Sequence, residues 1–170
     1  IKKVIGLLDT SARPVVLVGG GVRLSKAESE LHHFVHVTKT PVVTSLMGLD
    51  AFAQNDPFFA GMIGTYGNRY ANLTIANADL IIALGTRLDT RQTGTKPQTF
   101  ARGAKKVIID IDENELNKYE ERGMKTDVLA NYDINDFLDI LNEKISNVIT
   151  KDISPWLKKI NEWKSKYPIC

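Results

Sequence analysis

Short apolar runs recur along the chain, and each is separated from the next by a stretch with helical periodicity. Four of the runs are mostly apolar and rich in valine and isoleucine, which is typical of strands buried on both faces of a sheet. Two further runs are weaker. The predicted strands lie at residues 14–18, 40–45, 79–85 and 105–112, and the weaker ones lie at 58–64 and 127–130.

The intervening stretches place apolar residues three or four positions apart and predict helices. In the first of them, Ser25 is expected to cap a helix that runs to about Thr38, with Glu28 completing a capping box. The predicted core face of this helix consists of Leu24, Ala27, Leu31, Phe34 and Val35. Further helices are predicted at about 68–77, 113–118, 134–145 and 154–168.

Strands that alternate with helices pair in parallel through right-handed crossovers. The sequence therefore predicts an α/β fold: a Rossmann-like, doubly wound, mostly parallel sheet of about six strands flanked by helices. Such sheets bind ligands beyond the carboxyl ends of their strands, near the point where the strand order reverses. The loops expected at that edge read GGGVRLS, SLMGLD, GMIGTYGNR, GTRLDTRQTG and DIDENEL.

The glycine triplet after the first strand does not complete the dinucleotide fingerprint, which is G-x-G-x-x-G followed by an acid about twenty residues later. Gly19 and Gly21 match, but Leu24 takes the place of the third glycine and Asp50 lies too far along the chain. A free-standing NAD-dependent enzyme is therefore disfavoured, and no Walker phosphate loop is present. Two interpretations of the triplet stay open: a tight turn, or a backbone that a phosphate group can approach.

His32 and His36 lie four residues apart, a spacing that metal ligands on a helix can have. They fall on the flank away from the apolar face of the predicted helix, and no third ligand is evident nearby in the sequence. We therefore expect a solvated helix face and no metal site. No catalytic dyad or triad stands out, because the single cysteine, Cys170, is terminal and no histidine follows a predicted strand.

Charge and composition narrow the functional classes. The chain has 170 residues, with 22 basic against 20 acidic residues and a net charge of +2, which is too small for an electrostatic nucleic-acid interface. No apolar run approaches the length of a membrane span, so no membrane contact is expected. The lone cysteine suits a cytoplasmic location. The chain begins with Ile1 rather than Met, and we expect it to be part of a longer protein.

The stretch NADLIIALGTRLDTRQTG, residues 77–94, carries the strongest chemical signal. A buried strand would deliver Gly85, Thr86 and Arg87 to the ligand edge, and Asp89 and Arg91 follow on the same loop. Arginine forks onto phosphate oxygens, and aspartate accepts hydrogen bonds from ribose or ribityl hydroxyls. The plainer alternative is a surface loop with a local arginine–aspartate pair.

Five blocks follow one another in the order and spacing of a known family: RPVVLVGGGV, TPVVTSLMGLDAF, GMIGTYGNRYAN, ADLIIALGTRLDTRQTG and KKVIIDIDENEL. Through nearly its whole length the chain resembles the central domain of thiamine-diphosphate-dependent enzymes, and within them the acetolactate synthase large subunit. The resemblance implies that residues 1–150 form the central nucleotide-binding domain and that residues 151–170 form a linker helix toward a further domain.

The resemblance also implies the chemistry of the full-length enzyme. Its first and third domains would bind thiamine diphosphate and magnesium across a dimer interface. The enzyme would decarboxylate pyruvate and join the two-carbon unit to another 2-oxo acid, a reaction of branched-chain amino acid biosynthesis. The family's cofactor-activating glutamate and magnesium ligands fall outside these residues, so no catalytic residue is expected here and the chain alone is expected to be inactive. The expected partners are the N- and C-terminal domains of the same chain and further copies in a homo-oligomer.

In acetolactate synthases the central domain binds FAD, which has no net redox role, and the contacts can be carried over residue by residue. They are Gly19, Gly20, Gly21, Thr44, Ser45, Leu46, Ile63, Gly64, Gly85, Thr86, Arg87, Asp89, Arg91, Asp110, Ile111 and Asp133. Two positions depart from the family pattern: Tyr66 stands where a histidine is common, and Gln92 stands where a valine is common. These departures leave open a related decarboxylase or carboligase whose central domain holds ADP, or holds no nucleotide and acts as a structural spacer.

The last predicted helix carries one apolar stripe, formed by Trp156, Ile160, Trp163 and Tyr167. Two alternatives stay open for it. The stripe packs on this domain's own sheet, or part of it docks on another domain, since large apolar patches usually mark a partner surface.

Overall fold

The structure, a computed structural model, describes residues 1–145 and 151–168. Its centre is a sheet of six strands, all parallel, in the order β3-β2-β1-β4-β5-β6. This confirms the predicted α/β, doubly wound class. The strands are β1 (Pro14–Val18), β2 (Val42–Thr44), β3 (Phe59–Met62), β4 (Leu80–Leu84), β5 (Lys105–Asp110) and β6 (Val128–Asn131).

The two central strands, β1 and β4, are buried along their whole length, as their unbroken apolar sequences predict. Successive side chains point to opposite faces of the sheet, so Val16 and Val18 enter one apolar core while Val15 and Leu17 enter the other. The edge strand β6 alternates between half-buried and exposed residues. Burial thus falls from the centre of the sheet to this edge.

Helices cover both faces of the sheet. They are α1 (Lys2–Thr10), α2 (Gly21–Leu24), α3 (Glu28–Thr38), α4 (Arg69–Asn77), α5 (Thr90–Thr93), α6 (Glu113–Glu121), α7 (Ile134–Ile145) and α8 (Ser154–Lys166). The core on one face is built with α1, α3 and α7, and the core on the other face is built with α4, α6 and α8. The predicted helices at 68–77, 113–118 and 134–145 are confirmed, whereas α1 was not predicted.

The helix predicted over residues 25–38 begins only at Glu28, as α3, so this prediction is wrong at its start. Lys26 has a left-handed φ of +57° and lies in the turn that separates α2 from α3. Ser25 closes α2 instead of capping α3, and its hydroxyl donates to the carbonyl of Val22 at 3.1 Å. Leu24, predicted to face the core, is 81% exposed. The other four predicted core residues of this helix are buried.

The C-terminal helix α8 packs on this domain's own sheet through the first two residues of its apolar stripe, whereas Trp163 and Tyr167 are half-buried. Trp156 and Ile160 are buried in the core on the α4 side of the sheet. The indole nitrogen of Trp156 donates to the carbonyl of Pro14 at 3.1 Å, at the start of β1. Trp163 meets Trp156 edge to face, with ring centroids 5.7 Å apart. The helix is therefore an integral part of the core.

Asp79 joins the starts of the two central strands. Its carboxylate accepts hydrogen bonds from the hydroxyl of Ser11 and from the backbone N–H groups of Ala12, at 2.8 Å, and Arg13, at 2.9 Å. Burial raises the pKa of this carboxyl, but the three hydrogen bonds and the nearby Arg13 charge outweigh burial and hold the pKa below its ordinary value. The ionised form of Asp79 therefore stabilises the fold.

We expect Asp79→Asn to lower the free energy of unfolding by about 2 kcal/mol at pH 7, because an amide cannot accept all three hydrogen bonds. Since the folded-state pKa is lowered, the carboxylate's contribution is present above the unfolded-state pKa and is lost as the pH falls through the folded-state value. Urea denaturation of both proteins at pH 7 and pH 3 measures this. A difference of equal size at the two pH values would contradict the assignment.

Candidate functional site

A cavity of about 630 Å³ opens at the carboxyl edge of the sheet. Its walls are the loops that follow β1, β2, β3, β4 and β5, together with the start of α7. The chain runs outward from β1 through β2 to β3 on one side and from β4 through β5 to β6 on the other, so the strand order reverses between β1 and β4. This is the position at which doubly wound sheets bind their ligands.

The structure brings most of the sequence-predicted contact residues together around this cavity. The three exceptions are Gly19, Thr44 and Asp89, which do not line the cavity and instead support the loops that form its walls. The predicted residues that line the cavity are Gly20, Gly21, Ser45, Leu46, Ile63, Gly64, Gly85, Thr86, Arg87, Arg91, Asp110, Ile111 and Asp133.

The floor of the cavity is a close contact between the first and fourth loops. A Cβ atom on Gly19 would lie 2.0 Å from the carbonyl oxygen of Gly85, and one on Gly21 would lie 2.7 Å from the Cα atom of Gly85. Gly85 itself has a φ of +56°. Glycine is therefore required at these three positions by packing and backbone conformation. Gly20 and Gly21 both line the cavity, and a Cβ atom on Gly20 would lie 3.1 Å from the carbonyl oxygen of Met47.

Thr44 and Asp89 support the walls from behind. Thr44 is fully buried at the end of β2, and its carbonyl accepts from the N–H of Ile63 at 2.9 Å. Asp89 caps the short helix α5, where its Oδ1 atom accepts from the N–H groups of Arg91 at 2.9 Å and Gln92 at 3.2 Å. This cap fixes the backbone from which the Arg91 side chain extends.

The two arginines on the cavity wall have exposed side chains. Among residues 1–145 and 151–168, neither the Arg87 nor the Arg91 guanidinium group has an ion-pair partner. Arg23, in contrast, pairs with Asp50. Guanidinium groups that form no ion pair with the described residues leave their fork of N–H donors available for an anionic ligand.

The two predicted acidic contacts, Asp110 and Asp133, each have one oxygen engaged by the backbone. Oδ1 of Asp110 accepts from the N–H of Asp112 at 3.0 Å, and Oδ1 of Asp133 accepts from the N–H of Asn135 at 2.8 Å at the start of α7. These bonds hold both carboxylates at the cavity wall. Within the part of the chain that the structure describes, the second oxygen of each has no hydrogen-bond donor.

Gln92, one of the two departures from the family pattern, is tied into the wall. Its side-chain oxygen accepts from the hydroxyl of Thr86 at 2.8 Å, and the carbonyl of Thr86 accepts from the buried hydroxyl of Tyr119 at 3.1 Å. Burial raises the pKa of Tyr119, and the carboxylates of Asp110 and Glu115 raise it further, so this phenol stays a hydrogen-bond donor. Tyr66, the other departure, lies on the cavity rim and is 80% exposed.

The cavity also has lining residues that were not among the predicted contacts. Their signal was present, because Met47, Met62 and Thr65 each lie next to a predicted residue in a loop that follows a strand. Ile134 likewise lies next to the predicted residue Asp133, at the start of α7 and shortly after β6. The full set of such residues, apart from the two departures, is Leu24, Ser25, Met47, Met62, Thr65, Asp112 and Ile134.

The cavity wall combines polar, charged and apolar groups. Serine and aspartate side chains line it, and none of the described lining residues is a histidine, cysteine or lysine. Backbone N–H groups, two arginines and several apolar side chains predominate. This combination fits a ligand with both a phosphate part and flat or apolar parts.

Comparison with known proteins gives the family. Residues 1–141 match the family model described as thiamine pyrophosphate enzyme, central domain. The chain belongs to this family. The resemblance seen in the sequence blocks is thereby confirmed.

Relatives of this central domain include the acetolactate synthase large subunit of Cyanidium caldarium, 35% identical over 99% of the chain. The protein named acetolactate synthase 1, chloroplastic, of Oryza sativa subsp. japonica is 39% identical over 99% of the chain. The acetolactate synthase large subunit of Parasynechococcus marenigrum is 36% identical over 97%. The chain spans 29%, 26% and 26% of the lengths of these proteins, respectively, so the relatives contain further domains. Within the described residues, no helix is both long and apolar enough to cross a membrane.

The glycine contact at the cavity floor makes a testable prediction. We expect Gly85→Ala to lower the free energy of unfolding by at least about 2 kcal/mol, because the new Cβ would lie 2.6 Å from the Cα atom of Gly21 on a backbone with positive φ. Gly103→Ala is the matched control, since its Cβ would meet no atom within 4 Å. Urea denaturation measures both. Equal, small effects for the two variants would show that the contact is not tight.

Proposed function

We propose that this chain is the FAD-binding central domain of an acetolactate synthase-like, thiamine-diphosphate-dependent carboligase. The FAD has a structural role without net redox change. Family membership and the names of the relatives support the class of the parent enzyme. The cavity supports a nucleotide in this domain, because it lies where the strand order reverses and has the mixed polar and apolar walls of a cofactor site.

The observation that carries the proposal is the pair of cavity-lining arginines, Arg87 and Arg91, neither of which has an ion-pair partner among the described residues. A dinucleotide has a diphosphate between two flat ring systems. The guanidinium groups would hold the diphosphate, and Gly20 and Gly64 would let the ligand lie close to the backbone. A Cβ on Gly20 would lie 3.1 Å from the carbonyl oxygen of Met47, and one on Gly64 would lie 2.8 Å from the carbonyl oxygen of Arg91, so packing keeps both positions without side chains. A bare backbone beside two arginines fits a diphosphate group.

The remaining walls fit the two ends of such a ligand. The oxygens of Asp110 and Asp133 that have no donor among the described residues would accept from ribose or ribityl hydroxyls. The exposed apolar side chains of Leu46, Met47 and Ile111 would cover the ring systems. When bound, FAD would supply a rigid surface between the loops. The chain's own residues bind and orient it and exclude water from its rings.

The activity of the whole protein is part of the same proposal. The parent would decarboxylate pyruvate and join the two-carbon unit to a second 2-oxo acid, with thiamine diphosphate and Mg²⁺ held by the other domains of a homo-oligomer, in branched-chain amino acid biosynthesis. Residues 151–170 would lead into the next domain. A cytoplasmic location is proposed from the single cysteine of the sequence. Relatives whose names contain "chloroplastic" work elsewhere.

A second candidate is a structural spacer that binds ADP or no nucleotide. The departures at Tyr66 and Gln92 favour it over FAD, because both lie in the cavity wall where the family pattern differs. ADP shares the diphosphate and the adenosine but lacks the isoalloxazine ring. A titration that compares the two nucleotides therefore separates the candidates.

The test is a titration of FAD fluorescence with the purified chain. We expect saturable quenching, and we expect the double variant Arg87→Ala/Arg91→Ala to weaken binding at least about tenfold, because charge-assisted hydrogen bonds to the diphosphate are lost. Arg102→Ala is the matched control, since this exposed arginine lies outside the cavity. ADP should compete, but with lower affinity than FAD.

Three results would contradict FAD binding in this cavity. The first is the absence of quenching at high protein concentration, which favours a spacer. The second is ADP affinity equal to or above that of FAD, which favours the nucleotide-bearing relative. The third is an equal loss of FAD affinity in the double variant and in Arg102→Ala, which would show a non-specific effect of positive charge.

A further inference from the structure

A cluster of His32, His36 and Asp56 lies outside the cavity, on the exposed flank of α3 and the loop before β3. Nε2 of His36 lies 2.8 Å from Oδ2 of Asp56, and Nε2 of His32 lies 3.7 Å from the same oxygen. The sequence interpretation placed the two histidines on a solvated face without a third ligand nearby. The histidines are indeed exposed, but the absence of a third ligand is corrected by Asp56, which is twenty residues from His36 in sequence.

The carboxylate of Asp56 is fixed before any ligand arrives. Its side chain is only 7% exposed, and Oδ1 accepts from the N–H of Phe58 at 2.8 Å. The backbone of the same residue donates to the carbonyl of Ala53 and accepts from the N–H of Phe59 at 3.0 Å. Oδ2 is thereby directed at the histidines. Metal sites use outer hydrogen bonds of this kind to orient their ligands.

The two imidazole rings are held in place as well. They stack with centroids 4.1 Å apart, one helical turn from each other, so both Nε2 atoms point to the same oxygen. The ring of Phe58 meets His36 edge to face at 5.2 Å, and the ring of Phe52 lies 6.4 Å from His32. The cluster thus has apolar walls on one side and solvent on the other.

The three ligand atoms lie within 4.8 Å of one another. In a tetrahedral zinc site the ligand atoms lie about 3.4 Å apart, because each is about 2.0–2.1 Å from the metal. The 2.8 Å separation between His36 and Asp56 would have to widen by about half an ångström, and the 3.7 Å separation between His32 and Asp56 would close slightly. Both adjustments need only side-chain rotation. An ion pair alone does not require two stacked imidazoles on one carboxylate oxygen.

We propose that this cluster is a binding site for a divalent transition-metal ion of the zinc type. Two imidazole nitrogens and one carboxylate oxygen would form three of its bonds, and water would fill the exposed fourth position. The ion would connect the loop before β3 to α3, because Asp56 belongs to the first segment and both histidines belong to the second. None of the three residues lines the cavity, so the site is separate from the proposed nucleotide site.

The experiment uses the purified, metal-free chain and two probe ions. We expect Co²⁺ to give the visible absorption bands of a tetrahedral site with nitrogen and oxygen ligands, and one equivalent of Zn²⁺ to remove them. Zn²⁺ at about a hundredfold excess over its Kd should raise Tm by about 5 °C or more, since it binds only the folded state. His36→Ala and Asp56→Asn should each weaken Co²⁺ binding at least about tenfold.

His33→Ala is the matched control, because His33 is exposed on the same helix but lies outside the cluster. It should bind Co²⁺ like the unmodified chain. Three results would overturn the proposal: absence of the tetrahedral spectrum, equal losses for His33→Ala and His36→Ala, or full binding by Asp56→Asn. Asp56→Asn keeps an oxygen for the N–H of Phe58, and its Tm without metal reports whether it is folded.

Discussion

The close approach of two glycine-containing loops, those after β1 and β4, is the constraint on which the rest of the site depends. Gly19 and Gly21 contact Gly85 at distances that leave no room for a side chain. The two loops diverge beyond this contact, because the strand order reverses here. The cavity is the space between them, and its floor is backbone.

A floor made of backbone determines what the surrounding side chains can do. Asp89 and Asp133 cap helices, and Asp110 holds the turn after β5, so the acidic residues first stabilise the walls. The guanidinium groups of Arg87 and Arg91, in contrast, form no ion pair with the described residues. The cleft therefore has two arginines without an ion-pair partner among the described residues, beside the aspartates Asp110, Asp112 and Asp133. Such a wall suits a ligand that has both an anionic part and hydroxyl groups.

The sequence was sufficient to predict features that depend on residues close together in the chain. It was insufficient to predict features that depend on residues far apart in the chain. The apolar runs of β1 and β4 identify buried strands by themselves, and parallel pairing then places their loops at one edge. The turn at Lys26, between α2 and α3, depends on a left-handed backbone conformation, and a lysine in the sequence does not predict that conformation. The positions of Gly19 and Thr44 behind the cavity wall depend on tertiary contacts, whereas the helix cap formed by Asp89 is local to α5. The contact between Asp56 and the histidines of α3 also depends on the tertiary structure.

Hydrogen exchange with and without FAD tests most directly whether the glycine-floored cavity is where an adenine dinucleotide binds. FAD should slow amide exchange in the loops at residues 19–24, 45–47, 62–66, 85–92 and 110–112, which line the cavity or lie directly beside it. Exchange in α8 and at residues 97–104 should be unchanged. Slowed exchange confined to those remote segments, or no change anywhere at saturating FAD, would contradict the account.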